Sequence, residues 1–390
     1  PNDGTAKMFT ALVAASAPPV GRIKCVVWDL DNTMWDGVLL EPGPVRLRQH
    51  VVEHIRRLDQ MGILHSVASK NDWETAQRQL EEFGLAGYFL HPQITWSPKS
   101  DSVSRIAKAL NIGIDAIAFV DDQPFELAEV AHAHPGVLCV DTADVDTALR
   151  GPAFQPRFVT AESQVRRDMY QAATRRDDAE RDFDGTSEDF LATLDMEFTV
   201  RAACRDDLRR AEELTVRTNQ LNSTGRTYSY EELEALLDSD DHLLLVASLT
   251  DRFGGYGTVG LCLVRTGPMR TDPVRTDPVR TGPVRTDGEP WQLLLLLMSC
   301  RVMSRGVGTI LLNYVMATAR SRGARLRAEF IETGRNRIMY VTYMFAGFQE
   351  ISRDGEHLML ESGLADIQPP PGYVRLRLPD EAESRIRPAW

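Results

Sequence analysis

The chain has 390 residues, with 44 lysines and arginines against 56 aspartates and glutamates, a formal net charge of −12 and a hydrophobic share of 43%. That balance argues against a general nucleic-acid binder, which needs a cationic surface for phosphates. No apolar run approaches the roughly 20 residues of a membrane-spanning helix. The length exceeds what one hydrophobic core usually supports, so two domains are expected.

Residues 1–20 are rich in Ala and Pro, without the basic start and apolar core of a signal peptide, and read as a flexible lead-in. The first strand ends in Val26-Val27-Trp28-Asp29-Leu30-Asp31-Asn32-Thr33. Near-continuous apolar strands belong to parallel sheets, whose ligands sit at the strands' carboxyl ends, so Asp29 and Asp31 point at a site. One carboxylate can attack phosphorus while its neighbour moves the proton on the leaving oxygen, and Mg²⁺ offsets their repulsion. The plainer reading is a strand followed by an Asp-rich turn.

Three further segments strengthen the site reading. The run Ile63-Leu64-His65-Ser66-Val67-Ala68 ends at Ser69, whose hydroxyl can hold a phosphate oxygen before the next helix. Trp96-Ser97-Pro98-Lys99 precedes an amphipathic helix at 102–110, which sets Lys99 at a helix start, where an ammonium neutralises a transferring phosphoryl group. The strand Ala116-Ile117-Ala118-Phe119-Val120 ends in Asp121-Asp122, with Glu126 on the following helix, and such hard oxygen donors suit Mg²⁺. Taken singly, Ser69, Lys99 and the Asp121-Asp122 pair could be helix caps or a solvated helix start. Four such segments in order, each at a strand end, favour a site.

These four segments resemble the motifs of the haloacid dehalogenase-like phosphatases. The resemblance implies Asp29 as phosphoryl-accepting nucleophile and Asp31 as general acid/base, with Ser69 and Lys99 binding phosphate. It also implies Mg²⁺ held by Asp29, the backbone carbonyl of Asp31, and Asp121 or Asp122. Neither interval between the motifs has room for a large cap domain, so the site should be open.

This first domain is expected at residues 21–150, followed by a solvated helical linker at 151–194 and a second domain at 195–375. The second domain opens with an edge strand at 197–200. A helix near 206–216 then runs into the amide-rich Asn219-Gln220-Leu221-Asn222-Ser223, read as a helix cap or a polar binding segment. Strands at 243–249 and 257–264 form a hairpin, and residues 264–287 repeat Val-Arg-Thr-Gly/Asp-Pro. Proline at every fifth residue forbids a regular helix or central strand. The repeat reads as a low-complexity loop, or alternatively as a basic arm of Arg265, Arg270, Arg275, Arg280 and Arg285. Residues 376–390 form a tail.

The apolar strand at 293–297 runs to Cys300, ahead of a helix at 308–320. A thiol near a helix N-terminus and near Arg301 and Arg305 should be a depressed-pKa nucleophile, against the alternative of a small packing residue. Cys25, Cys139 and Cys262 read as packing residues, and Cys204 has no case either way. Five scattered cysteines without a CxxC pair favour a reducing, cytoplasmic setting.

The stretch Arg301-Val302-Met303-Ser304-Arg305-Gly306 resembles the pyrophosphate loop of Gcn5-related N-acetyltransferases, with Ser304 where that family has glycine. The expected fold class is therefore α/β. It consists of a Rossmann-like parallel sheet of the haloacid dehalogenase type without a large cap, followed by a Gcn5-related acetyltransferase-like α/β domain. The joint order resembles the FkbH-like glyceryltransferase/phosphatase family of polyketide extender-unit pathways. That resemblance implies D-1,3-bisphosphoglycerate as substrate and an acyl carrier protein with phosphopantetheine as partner. It implies Cys300 as thioester-forming nucleophile, with Arg301, Ser304, Arg305 and Gly306 binding the pantetheine arm. His242 is the nearest candidate base in sequence, and Arg320, Arg322, Arg325 and Arg327 are a candidate docking patch for an acidic carrier. The alternatives are a stand-alone Mg²⁺-dependent phosphatase or phosphotransferase on a small phosphorylated metabolite, and a noncatalytic carrier-binding scaffold.

Overall fold

The computed structural model describes residues 23–218, 220–267 and 290–378, without the side chains of Cys300 and Ser304. The lead-in at 1–20, Asn219, nearly all of the proline repeat and the last residues of the tail lie outside the described residues. The chain divides into two compact units, one reaching Thr174 and the other starting at Arg175. This boundary falls inside the segment expected as a linker. Nor is the helix Arg166–Arg181 merely solvated: Arg166 is buried and donates to the carbonyl of Gly62 in the first unit, and Arg176 is buried against Asp251 in the second.

The first unit holds β1 (Cys25–Trp28), β2 (Trp35–Asp36), β3 (Arg46–Leu47), β4 (Leu64–Ser69), β5 (Gln93–Ile94), β6 (Ile117–Asp121) and β7 (Leu138–Asp141). Its main sheet has five strands in the order β5-β4-β1-β6-β7, all parallel, while β2 and β3 form a small antiparallel hairpin. Side chains of β1 alternate between the two faces. Val26 and Trp28 join Val51, Ile55 and Leu58 of the helix Gln49–Gln60, whereas Cys25 and Val27 join Val103 and Ile106 of the helix Lys99–Ala109. Both faces are therefore covered, as a parallel sheet requires. The central strand β1 is flanked by β4 and β6, and at such a reversal of strand order the carboxyl ends open into a crevice.

The second unit is one eight-stranded sheet. Its strands are β8 (Met196–Ala202), β9 (His242–Asp251), β10 (Gly254–Arg265), β11 (Trp291–Met298), β12 (Leu326–Ile331), β13 (Phe348–Asp354), β14 (His357–Ser362) and β15 (Val374–Arg377). The order is β13-β14-β12-β11-β10-β9-β8-β15, with parallel pairing only for β11 with β12 and β15 with β8. The strand expected at the edge is thus covered, since β15 pairs outside β8 and removes its open ladder.

The parallel pair β11 and β12 stays in register only from Trp291 to Leu293 and then parts. Residues 221–223 fill the opening. Ser223 N donates to the carbonyl of Leu296, Met298 N to that of Leu221, and Ile331 N to that of Ser223. Buried Asn336 ties the wedge by donating from Nδ2 to the carbonyls of Asn222 and Ile331 at 3.0 and 2.8 Å. The described part of the amide-rich segment is neither a helix cap nor an open binding stretch. Its backbone completes a ladder, and Asn222 Oδ1 accepts from Thr224 N and Gly225 N to close a turn.

Candidate active site

The residues singled out in the first half meet at the carboxyl ends of β1, β4 and β6. Trp28 is level with Val120 and with Val67, so Asp29 emerges beside Asp121 on one flank and one step before Ser69 on the other. Lys99 opens its helix as expected and is buried. Its ammonium lies 2.8 Å from Asp29 Oδ1 and 2.5 Å from Asp121 Oδ2. Burial pushes the Asp29 carboxyl up to about 6, with Lys99 opposing and Asp121 reinforcing the shift. Asp121 and Asp122 are likewise raised, first by burial. Lys99 is held above its ordinary range because Asp29 and Asp121 outweigh its own desolvation.

One oxygen from each of Asp29, Asp121 and Asp122 fits within a mutual separation of 4.8 Å. The three aspartates differ in what else they serve. Asp121 gives one oxygen to Lys99 and the other to the backbone N–H of Gln123 at 2.9 Å. Asp122 Oδ1 is buried and has no hydrogen-bond partner among the described residues. Buried polar atoms are seldom left unpaired, and a cluster of carboxylates around one ammonium with such an orphan oxygen has the chemistry of a hard divalent cation site.

Asp31 lies on the turn into the β2–β3 hairpin. Its Oδ1 accepts from Trp35 Nε1 at 2.8 Å and Leu39 N at 3.0 Å, and its Oδ2 from Asn71 Nδ2 at 2.9 Å. The turn is closed by Asn32, at φ 53°, whose side chain accepts from Gly37 N at 3.1 Å. Three neutral donors thus orient the carboxylate. Trp35 and Asn71 were not among the residues singled out from the sequence. Asn71 follows the end of β4 by two residues, and that position beside Ser69 was the only local signal. Glu126 is buried on the helix Pro124–Ala133 and pairs with Lys70 at 2.7 Å, which makes it an ion-pair partner rather than a member of the carboxylate cluster.

The second-unit residues are arranged differently. β11 stops at Met298, and Cys300 opens a six-residue 3₁₀ helix, Cys300–Arg305, so the thiol-bearing residue is at neither a strand end nor the start of the α-helix Ile310–Ser321. Ser299 Oγ caps that turn by accepting from Arg301 N at 3.4 Å. Arg305 is buried, and its guanidinium donates to Glu180 at 2.8 Å and Asp177 at 3.2 Å. Those carboxylates hold its charge in place. Gly306 adopts φ +68°, and a Cβ there would stand 2.3 Å from Tyr373 Oη, so the position demands glycine.

His242 cannot act as base for Cys300. It pairs through Arg265 with the Gln292 end of β11, six residues and roughly 20 Å along the sheet from Met298. The arginine patch is also partly neutralised, since Arg327 and Arg325 both face Glu361, at 2.6 and 3.7 Å.

No protein-family model matches the chain. Human magnesium-dependent phosphatase 1 is 29% identical over 136 residues, covering 30% of this chain and 76% of that protein. The N-terminal part of BF1531 from Bacteroides fragilis, a phosphatase domain complexed with Mg, is 27% identical with a TM-score of 0.30. It covers 37% of this chain, which spans only 42% of that structure. The GNAT domain of S. lividans PAT is 21% identical with a TM-score of 0.30, covering 42% of this chain and 88% of that one. The fold class expected from the sequence, a parallel α/β sheet followed by a mixed α/β domain, is the one observed. Among the described residues no helix is long and apolar enough to cross a membrane.

Proposed function

We propose that the first unit is a Mg²⁺-dependent phosphatase that works through an aspartyl-phosphate, and that the whole chain is a glyceryltransferase/phosphatase. The observation that carries the first part is the buried Asp29–Lys99–Asp121 constellation beside an Asp31 held by three donors. The 29% identity to a magnesium-dependent phosphatase supports it. Asp29 and Asp122, with the Asp31 backbone carbonyl, would hold the metal, since both oxygens of Asp121 are already engaged. Magnesium supplies positive charge against the carboxylates and the phosphoryl oxygens.

An Asp29 oxygen attacks phosphorus, the bond from phosphorus to the leaving oxygen breaks, and Asp31 hands that oxygen its proton. Asp31 then takes a proton from the water that attacks the aspartyl-phosphate, releasing inorganic phosphate and restoring Asp29. Lys99 neutralises the charge spread over the phosphoryl oxygens, and Ser69 lies one step past Asp29 on the adjoining strand, where its hydroxyl can hold one of them. Loops and helix starts after these strands expose Leu40, Trp73, Trp96 and Phe125. That apolar surround, together with the lack of a large insertion, favours a phosphate carried on a large or tethered substrate.

For transfer, the Cys300 thiolate attacks the acyl-phosphate carbonyl of D-1,3-bisphosphoglycerate and phosphate leaves. The pantetheine thiol of the carrier protein next attacks the enzyme thioester, taking the acyl group and freeing Cys300. The order of the loop and strand motifs supports this reading. The engaged Arg305 and the distant His242 favour the second reading, a phosphatase alone.

Incubation with acyl-labelled bisphosphoglycerate separates the two. Glyceryl transfer predicts an acid-stable, hydroxylamine-labile label on the chain that disappears in Cys300→Ala while phosphate release continues. Unlabelled chain with intact phosphate release establishes the phosphatase reading instead.

A further inference from the structure

The first unit contains a cavity of about 590 Å³ that shares no residue with the Asp29 site. It is lined by His50, Glu53, His54 and Arg57 from the helix Gln49–Gln60 and by Asp146 and Arg150 from the segment after β7. The four helix residues recur at helical spacing on one stripe, while Val51, Val52, Ile55 and Leu58 of the same helix pack into the core. The polar stripe is therefore turned toward the Asp146–Arg150 segment.

The hydrogen bonds define what this cavity can hold. His54 Nε2 lies 2.7 Å from Asp146 Oδ1, and Arg57 Nη2 donates to His54 Nδ1 at 3.3 Å and to the carbonyl of Leu149 at 2.9 Å. Since Nδ1 accepts, the network assigns the ring proton to Nε2, and both nitrogens are spent. His54 thus has no lone pair to offer a cation. Arg57 is half-buried, and its partners are neutral: a carbonyl, an imidazole and the Met61 sulfur. Burial and the nearby Arg150 guanidinium push Arg57 below its ordinary range. Among the described residues neither arginine has a carboxylate within ion-pair distance. Two guanidiniums held near one another without such a partner favour an anion between them. The size falls in the usual range for small-ligand sites, about 300–1,000 Å³, but such sites are mostly apolar and this lining has no large apolar side chain.

We propose that this cavity binds a small, highly polar phosphate-bearing anion through Arg57, Arg150 and His50, at a site separate from Asp29. The charge fork of an arginine matches phosphate oxygens in pairs, which suits two guanidiniums lining one cavity. Exposed Glu53 discourages a purely polyanionic occupant and leaves room for one whose other end donates hydroxyls.

The experiment uses the full chain labelled with ¹⁵N-histidine and titrated with glycerol 3-phosphate in the presence of EDTA, reading the ring resonances of His50 and His54. Saturable shifts at both are expected, and Arg150→Gln should weaken the apparent affinity about 10-fold or more. Arg150 is exposed, so this variant keeps the fold. Asp29→Asn should leave these shifts unchanged, which separates the cavity from phosphate held at the phosphatase site. The proposal falls if neither histidine shifts by about 10 mM glycerol 3-phosphate, or if Arg150→Gln titrates like the unaltered chain.

Discussion

The two candidate centres handle charge in opposite ways. Around Asp29, carboxylates from two strand ends crowd one buried ammonium and leave an Asp122 oxygen without a partner. Around Cys300, the buried cation Arg305 is matched through its two terminal nitrogens by Glu180 and Asp177, so most of its charge is answered although its Nε has no hydrogen-bond partner among the described residues. An unbalanced cluster stores electrostatic free energy that a cation or a phosphoryl group can release, whereas a balanced pair mainly holds structure. Chemistry is therefore easier to read from the first centre than from the second.

The strongest way to break the contrast is Asp29→Asn. It should lower phosphate release by at least about 10³-fold, because the attacking oxygen is gone, and should leave the thermal midpoint equal or higher, because one buried charge is removed. Activity within tenfold of the starting enzyme would remove Asp29 from the nucleophile's role. Lys99→Met comes next. With two carboxylates left buried around an uncharged side chain, unfolding free energy should fall by about 3–5 kcal/mol, measured by denaturant titration without metal. Added magnesium should recover more stability in this variant than in the parent.

The pH dependence sharpens the same point. The folded Asp29 carboxyl titrates at about 6, above its ordinary 3.8, so between those values the folded chain binds more protons than the unfolded one. Stability without metal should then fall as pH rises through that window, and magnesium should abolish the fall. A metal-free thermal midpoint that climbs over the same range would contradict this. The smallest effect is expected at Arg305→Met. Glu180 and Asp177 are partly solvated, so about 1–2 kcal/mol should be lost, with acyl labelling of the chain changed by less than about threefold. A collapse of labelling at unchanged stability would restore Arg305 to the activation of Cys300.

Much of the first centre was legible in the sequence because its signals are local. An apolar run that stops at a carboxylate or hydroxyl identifies both the strand and the residue at its end, which is how Asp29, Ser69 and Asp121 stand out, while Lys99 stands out at a helix start. The orientation of Asp31 was not legible, since Asn71 is 40 residues away and its amide signals nothing until β1 and β4 lie side by side. Other features of the second half depend on the same kind of distance. The Arg305 guanidinium meets carboxylates up to 128 residues distant. A strand expected at the edge is covered by the last strand of the sheet, and the amide-rich stretch 221–223 fills a gap between strands still to come in the chain.

By itself the sequence determined the two α/β domains and the strand ends that carry carboxylates, because periodicity, composition and backbone sterics act over a few residues. Only the tertiary structure decided which charges remain unanswered, which carboxylate oxygen is left open and which histidine lies at the wrong end of the sheet. Coulomb interactions and hydrogen bonds depend on distance in space, and the chain brings those groups together only when its sheets are formed.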